Sequence, residues 1–217
     1  MGKLLVIGSL NMDMTIYVEE APKRGETVYG HDFLLSPGGK GANQAVAAAR
    51  LGAQVAMLGR VGDDLFGKSQ IEGLQKDGID TRSVLTTQGV STGVACIQVV
   101  KGDNSIVLDL GANDRLTPED IEAHRDVMAA CDAVMLQFEI PMDTIHRTIA
   151  MAHELGKKII LTPAPVVPFE ESLLEGIYLL LPNEHEAQRI TGIPTGTLED
   201  AQRALTALAD KGVAHPL

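Results

Sequence analysis

Ser36-Pro37-Gly38-Gly39-Lys40-Gly41-Ala42-Asn43-Gln44-Ala45 is the stretch around which the rest of the chain falls into place. Glycine, having no Cβ, lets a backbone come close to a bound molecule. The Ala-rich run that follows, Gly41–Leu51, is predicted as a helix closed by Gly52. A helix starting here points its free N–H groups and positive dipole end outward, with the Lys40 cation and the Asn43 amide at the same spot. A flexible turn that merely caps a helix is the alternative, and three glycines around one lysine favour a ligand loop. The pattern is not a dinucleotide fingerprint, because Gln44 holds the third glycine position.

Outward from this loop, short apolar runs alternate with amphipathic segments that end in glycine. Strands are predicted at Lys3–Ile7, Gln54–Leu58, Asp132–Phe138, Lys158–Leu161 and Ile177–Leu181. Helices are predicted at Leu65–Asp77, from Thr117 with Pro118 at its first position, at Met142–Leu155, from about Glu184, and at Leu198–Lys211 with Thr197 as cap. Strands feeding helices in this rhythm give the fold class: α/β, a doubly wound, mostly parallel sheet flanked by helices. Two stretches break the rhythm. Glu26–Leu35 has β-type residues, and Thr92–Leu110 reads as a hairpin turning at Lys101-Gly102-Asp103-Asn104. The hairpin arms are apolar on both faces, so a ligand below or a partner subunit above is expected to cover them. Residues 1–217 are therefore read as one α/β domain with a small β-sheet lid inserted at about 14–36 and 92–111. After Gly212 the run Val213-Ala214-His215 begins a strand that Pro216 is poorly suited to continue, so the core is expected to lack its C-terminal part.

Composition narrows the function. The 217 residues are 45% hydrophobic, which suits a globular chain, and carry a formal charge of −11, which repels polyanions. Only 3% are aromatic and none is Trp, so stacking platforms for nucleic acid are not expected. Cys96 and Cys131 lie far apart without metal spacing and are read as reduced apolar fillers. Leu4–Ile7 is too short for a leader, Val6 stands where a myristoylation motif needs Ser or Thr, and no apolar run reaches membrane length. A cytoplasmic protein is expected.

Gly62-Asp63-Asp64-Leu65-Phe66-Gly67-Lys68-Ser69 matches a phosphate-binding P-loop letter for letter. Asp63 and Asp64 would repel the phosphates such a loop cradles; one of them is instead expected to cap the next helix, with Phe66 packed in the core. Asn11 and Asp13 follow the first strand, Glu139 follows Asp132–Phe138, and Asn183-Glu184-His185-Glu186 follows Ile177–Leu181. Each alone could be an Asx turn or a helix start. Together they place carboxylates and amides where the ligand crevice of a parallel sheet lies, beyond the carboxyl ends of the strands. His31, His124, His146, His153, His185 and His215 show no metal spacing, and Met128, Met135, Met142 and Met151 are read as core filler.

These residues together resemble the ribokinase-like PfkB family of carbohydrate kinases. The likeness runs through Val6-Ile7-Gly8-Ser9-Leu10-Asn11-Met12-Asp13, Gly25-Glu26-Thr27, Gly38 to Ala45 with Gly52 and Gly62, Glu139, and Asn183 with Glu186. It implies ATP-dependent phosphorylation of D-ribose at O5. Asn11, Met12, Asp13, Gly39, Lys40, Gly41, Ala42, Asn43 and Glu139 would form the sugar site, and Lys40 would also offset charge on the transferred phosphoryl group. Asn183 would lie beside the ATP phosphates, and Glu186 would help hold Mg²⁺ through water. It further implies a lid that closes over the sugar and pairs between two subunits as a homodimer. In the family a Gly-Ala-Gly-Asp segment supplies the anion hole and the catalytic Asp, and a loop nearby binds K⁺. Neither occurs in these residues, so no catalytic base is assigned and the chain alone is expected not to turn over. A non-catalytic sugar-binding or dimerising fragment, and a kinase of another sugar or of a nucleoside, are the alternatives.

Overall fold

A computed structural model describes residues 2–217. The chain opens with β1 (Lys3–Ile7), whose alternating side chains are buried on both faces. Leu5 and Ile7 enter one apolar layer with Ile121, Met128, Ile145 and Ile149. Leu4 and Val6 enter the other with Ala42, Ala45 and Leu74. A strand covered on both sides must be apolar throughout, which is why such strands stand out in the sequence. Each fully buried Leu or Ile contributes about 2 kcal/mol.

Next come β2 (Asn11–Val18), β3 (Gly30–Gly38), α1 (Lys40–Arg50), β4 (Gln54–Gly62) and α2 (Leu65–Lys76). They are followed by β5 (Asp80–Thr87), β6 (Gly93–Val100), β7 (Asp103–Asp109) and a 3₁₀ turn at Gly111–Arg115. The remainder alternates: α3 (Pro118–Ala123), α4 (Arg125–Ala129), β8 (Ala133–Gln137), α5 (Met142–Glu154), β9 (Lys158–Thr162), β10 (Leu179–Leu180), α6 (Glu184–Thr191), α7 (Leu198–Asp210) and β11 (His215–Pro216). The main sheet has seven strands in the order β11-β10-β9-β8-β1-β4-β5, all parallel. A four-stranded sheet, β3-β2-β6-β7, stands apart from it; β2 runs parallel to β6, and the outer pairs are antiparallel.

Several sequence expectations need correction. Strand β5 was not anticipated: it lies at the sheet edge, and Thr81, Arg82 and Thr86 break the apolar run that marks buried strands. The small sheet, expected from about residue 14, begins earlier: Asn11 and Asp13 open β2, so it starts at the crevice itself. Ile177–Leu181 contracts to the two-residue β10, because the Ile177 N–H bonds back to Leu174 and Ile177 serves the core instead. At the end of the chain, α7 does complete its crossover, since β11 pairs with β10 and the Leu217 N–H reaches the Leu180 carbonyl. Pro216 is tolerated there because β11 lies at the edge of the sheet. Cys96 is exposed on β6 and is not a core filler, whereas Cys131 is buried.

The false P-loop resolves into a helix cap. The Asp64 side chain accepts the Gly67 N–H at 2.8 Å and the Thr92 hydroxyl at 2.6 Å, and Asp63 accepts the Gly89 N–H. Burial pushes the Asp64 carboxyl up, but the donors from Thr92 and Gly67 outweigh it and hold the group below the usual carboxylate range. Phe66 is half-buried and stays outside both apolar clusters. Thr117 and Asp120 form a capping box at the start of α3, and Arg60 closes over Asp120 with a 2.6 Å ion pair.

Candidate functional site

The polar cluster forms where β1 ends, β2 begins and α1 starts. Gly39 holds φ of +92° as the residue before α1, and a Cβ there would sit 2.7 Å from the Asn11 nitrogen. A Cβ at Gly41 would meet the Gly8 carbonyl carbon at 2.7 Å. Both glycines are thus needed for the first turn of α1 to press against the β1–β2 junction. Gly38 plays the matching part for Asp13, whose carboxylate fills the space a Cβ would take, at 2.2 Å.

Glu139, just past β8, is 7% exposed and anchors the cluster. Its Oε2 accepts the Ser9 hydroxyl at 2.6 Å and the Lys40 N–H at 3.3 Å, while its Oε1 pairs with Lys40 Nζ at 3.1 Å. Asp13 faces this group from β2. Burial, and then the nearby Glu139 charge, push its carboxyl above the ordinary value, with Lys40 pulling the other way. Asn11 and Met12 are buried at the same junction, Ala42 is buried on α1, and Asn43 projects outward.

The structure therefore brings Asn11, Asp13, Lys40 and Glu139 together, with the backbone of Gly39, Gly41 and Ala42 behind them. An open depression of about 620 Å³ runs from Lys40, Asn43 and Gln44 past Thr162 to Asn183 and Glu186. Of the polar cluster, Lys40 lines this depression and so links the cluster to Asn183 and Glu186. Asn183 caps α6, and Glu186 returns the bond in a capping box, with Asn183 N–H to Oε2 at 2.9 Å and Nδ2–H to Oε1 at 3.0 Å. No group of three or more acidic, His or Cys side chains able to hold a metal ion occurs among the described residues. Glu186, half-buried on the depression, could reach a hydrated Mg²⁺ through water, which suits an ion whose inner ligands come largely from phosphate and solvent.

Four functional neighbours escaped the sequence reading as participants. Ser9 holds Glu139. Asn113 holds the β1–β2 junction, with its Oδ1 accepting the Leu10 N–H at 2.9 Å. Gln70, from α2, donates to the carbonyls of Gly38 and Asn11, tying β3 to β2 at the base of the small sheet. Gln137 donates to Gln44 Oε1 at 2.5 Å, and Gln44 Nε2 donates to Thr162 at 2.9 Å beneath the depression. Nothing local marks these residues, since each reaches its partner only across the fold.

The small sheet extends above the cluster with apolar side chains left open: Phe33 and Leu34 on β3 are 61% and 54% exposed, and Ile106 and Val107 on β7 are 55% and 74% exposed. No helix among the described residues is long and apolar enough to cross a membrane.

Comparison with known proteins agrees with this layout. The profile of the pfkB family of carbohydrate kinases matches residues 1–217. The ribokinase of Bacillus subtilis is 42% identical over 201 residues, covering 93% of this chain and 68% of that protein. The deoxyribokinase of Salmonella typhi is 38% identical over 212 residues, covering 97% of this chain and 69% of the other. Among solved structures, Arabidopsis thaliana ribokinase complexed with ribose and ATP superposes with a TM-score of 0.89 at 33% identity, over 100% of this chain and 71% of that one. Fold, glycine loop and profile agree, and the chain belongs to the pfkB family of carbohydrate kinases.

Proposed function

We propose that these residues form the sugar-reading part of an ATP-dependent D-ribose kinase that transfers a phosphoryl group to O5 and gives ribose 5-phosphate. The observation that carries the reading is the gathering of Asn11, Asp13 and Glu139 around Lys40, which itself lines one end of a depression whose other end holds Asn183 and Glu186. Two carboxylates, an amide and an ammonium offer both donors and acceptors to a polyhydroxylated ligand. A sugar lacking one hydroxyl would leave a buried partner unpaired, which is the strongest form of small-ligand discrimination. The ATP phosphates would lie along the depression toward Asn183, and Mg²⁺, when bound, would offset their charge, with Glu186 meeting it through water. Lys40, at the sugar end, would face the transferred group. The β3-β2-β6-β7 sheet would cover the sugar and exclude water that competes as acceptor, while its open apolar face would pair with a second copy in a homodimer.

The Gly-Ala-Gly-Asp segment to which the family resemblance assigns the proton-accepting base does not occur in residues 1–217. Residues 1–217 are accordingly expected to bind sugar without turning it over. Calorimetric titration with ribose, 2-deoxyribose and fructose tests the assignment. Ribose should bind and fructose should not, and Asp13→Ala should abolish the signal. A folded preparation that ignores all three sugars, or takes ribose and fructose equally, overturns the ribose reading. Preference for 2-deoxyribose would move it to the chemistry named for the Salmonella relative.

A further inference from the structure

Asn113 is fully buried on the 3₁₀ turn that leaves the β6–β7 hairpin. Its Oδ1 accepts the Leu10 N–H at 2.9 Å, and its Nδ2 donates to the Leu10 carbonyl at 3.2 Å. A backbone N–H can only donate and a carbonyl can only accept, so these two bonds settle which end of the Asn113 amide is which. The remaining Nδ2 proton goes to Asn11 Oδ1 at 2.7 Å. Asn11 must therefore turn its oxygen toward Asn113 and its own NH₂ away from it.

That NH₂ finds no partner among the described residues. Nor is it sealed from solvent, because the enclosed side-chain atoms without partners are Gln70 Oε1 and Gln137 Oε1. Gly93 leaves the room this arrangement needs. A Cβ there would stand 2.2 Å from Asn11 Oδ1 and 2.3 Å from Asn113 Nδ2. The turn itself is tied to the hairpin, with the Asn113 N–H on the Leu110 carbonyl at 3.0 Å and the Ala112 N–H on the Ser91 carbonyl at 2.8 Å.

We infer that Asn113 is a positioning residue: it fixes Asn11 as a hydrogen-bond donor toward the crevice, so that one ligand hydroxyl is read through its oxygen. The inference rests on the sugar-binding reading for the identity of the ligand, but not for the orientation of Asn11. Asn113→Asp is the diagnostic change. At a pH where the new carboxylate is ionised, it still accepts the Leu10 N–H at unchanged volume but can donate to nothing, so Asn11 should rotate to give its NH₂ to that carboxylate and present oxygen to the crevice. Asn11→Asp is the complement, keeping the acceptor that Asn113 needs while deleting the crevice donor.

Two readouts decide the matter. Hydrogen exchange of the Asn11 side-chain NH₂, followed by ¹⁵N NMR without ligand, should be fast in the parent protein and slow in Asn113→Asp. Calorimetry with ribose and its monodeoxy analogues should show about tenfold weaker ribose binding for Asn113→Asp and for Asn11→Asp, with the loss confined to sugars carrying one particular hydroxyl. Unchanged Asn11 exchange in Asn113→Asp overturns the inference. So does an equal loss for every analogue accompanied by a lower melting temperature, which is what a purely structural residue would give. Should Asn113→Asp fail to fold, Asn11→Asp decides: undiminished ribose binding there overturns the inference. If the parent protein binds no sugar, the kinase reading fails, while the exchange experiment still decides how Asn11 is held.

Discussion

Replacing Ser9 by Ala should loosen the carboxylate at the centre of the cluster at a cost that can be worked out bond by bond. Ser9 is fully buried and gives Glu139 its shortest hydrogen bond, 2.6 Å. A hydrogen bond to a charged group is worth about 1.5–3 kcal/mol, and a neutral pair about 0.5–1.5. Lys40 still holds Glu139 through its N–H and Nζ, at 3.3 and 3.1 Å, so the loss should fall near the lower end, at about 1.5–2 kcal/mol. For a chain of this size, that corresponds to roughly 3–8 °C in melting temperature. The charge contribution can be isolated in a Glu139→Gln background, where the same Ser9→Ala change should cost only about 1 kcal/mol. Urea denaturation of the four proteins gives both numbers. A cost below about 0.5 kcal/mol in the parent, or the same cost in both backgrounds, would refute the view that Ser9 serves the Glu139 charge.

Asp13→Asn should raise the melting temperature of the ligand-free protein at neutral pH while removing sugar binding. The folded-state pKa of Asp13 lies above its unfolded value of 3.8, so the native state binds the extra proton and stability falls as pH rises from that value through the folded pKa. The gain from Asp13→Asn should therefore vanish in acid below the unfolded value, and a loss of stability at neutral pH would contradict the argument. Gly39→Ala and Gly52→Ala share left-handed backbone, at φ +92° and +94°, but only Gly39 has backbone atoms within 3 Å of a new Cβ. Thermal melts should show about 1–2 kcal/mol for Gly52→Ala, the strain alone, and clearly more for Gly39→Ala; equal costs would dismiss the close approach. Val107→Glu, at an exposed apolar position of β7, should shift sedimentation from dimer to monomer, and a parent protein that already sediments as a monomer would remove the small sheet as a dimer face.

The parallel sheet was legible wherever burial on both faces forced a continuous apolar run, as in Leu4 to Ile7 and Val134 to Leu136. It was illegible in β5, where an edge position lets Thr81, Arg82 and Thr86 stand among the apolar residues. The glycine loop was legible because close approach of α1 to the β1–β2 junction leaves no other choice of residue at positions 39 and 41. The helix starts at Asp64 and Thr117 were partly legible too, since a cap and its helix are neighbours in sequence.

The bonds that hold the site were not legible, because each joins residues far apart along the chain. Ser9 and Glu139 are 130 positions apart, Leu10 and Asn113 are 103 apart, and Asn11 and Gln70 are 59 apart. A serine after a strand or an asparagine after a hairpin reads locally as an ordinary turn residue.

Apolar period and glycine placement are local sterics, and they were enough to establish the layered α/β fold, the glycine loop and the candidate polar residues of the rim. Which of those polar groups meet, which carboxylate carries the strain, and which end of the Asn11 amide faces the crevice were decided by folding. Hydrogen bonds are directional and short, so they are specified only once the register of distant strands has brought donor and acceptor together.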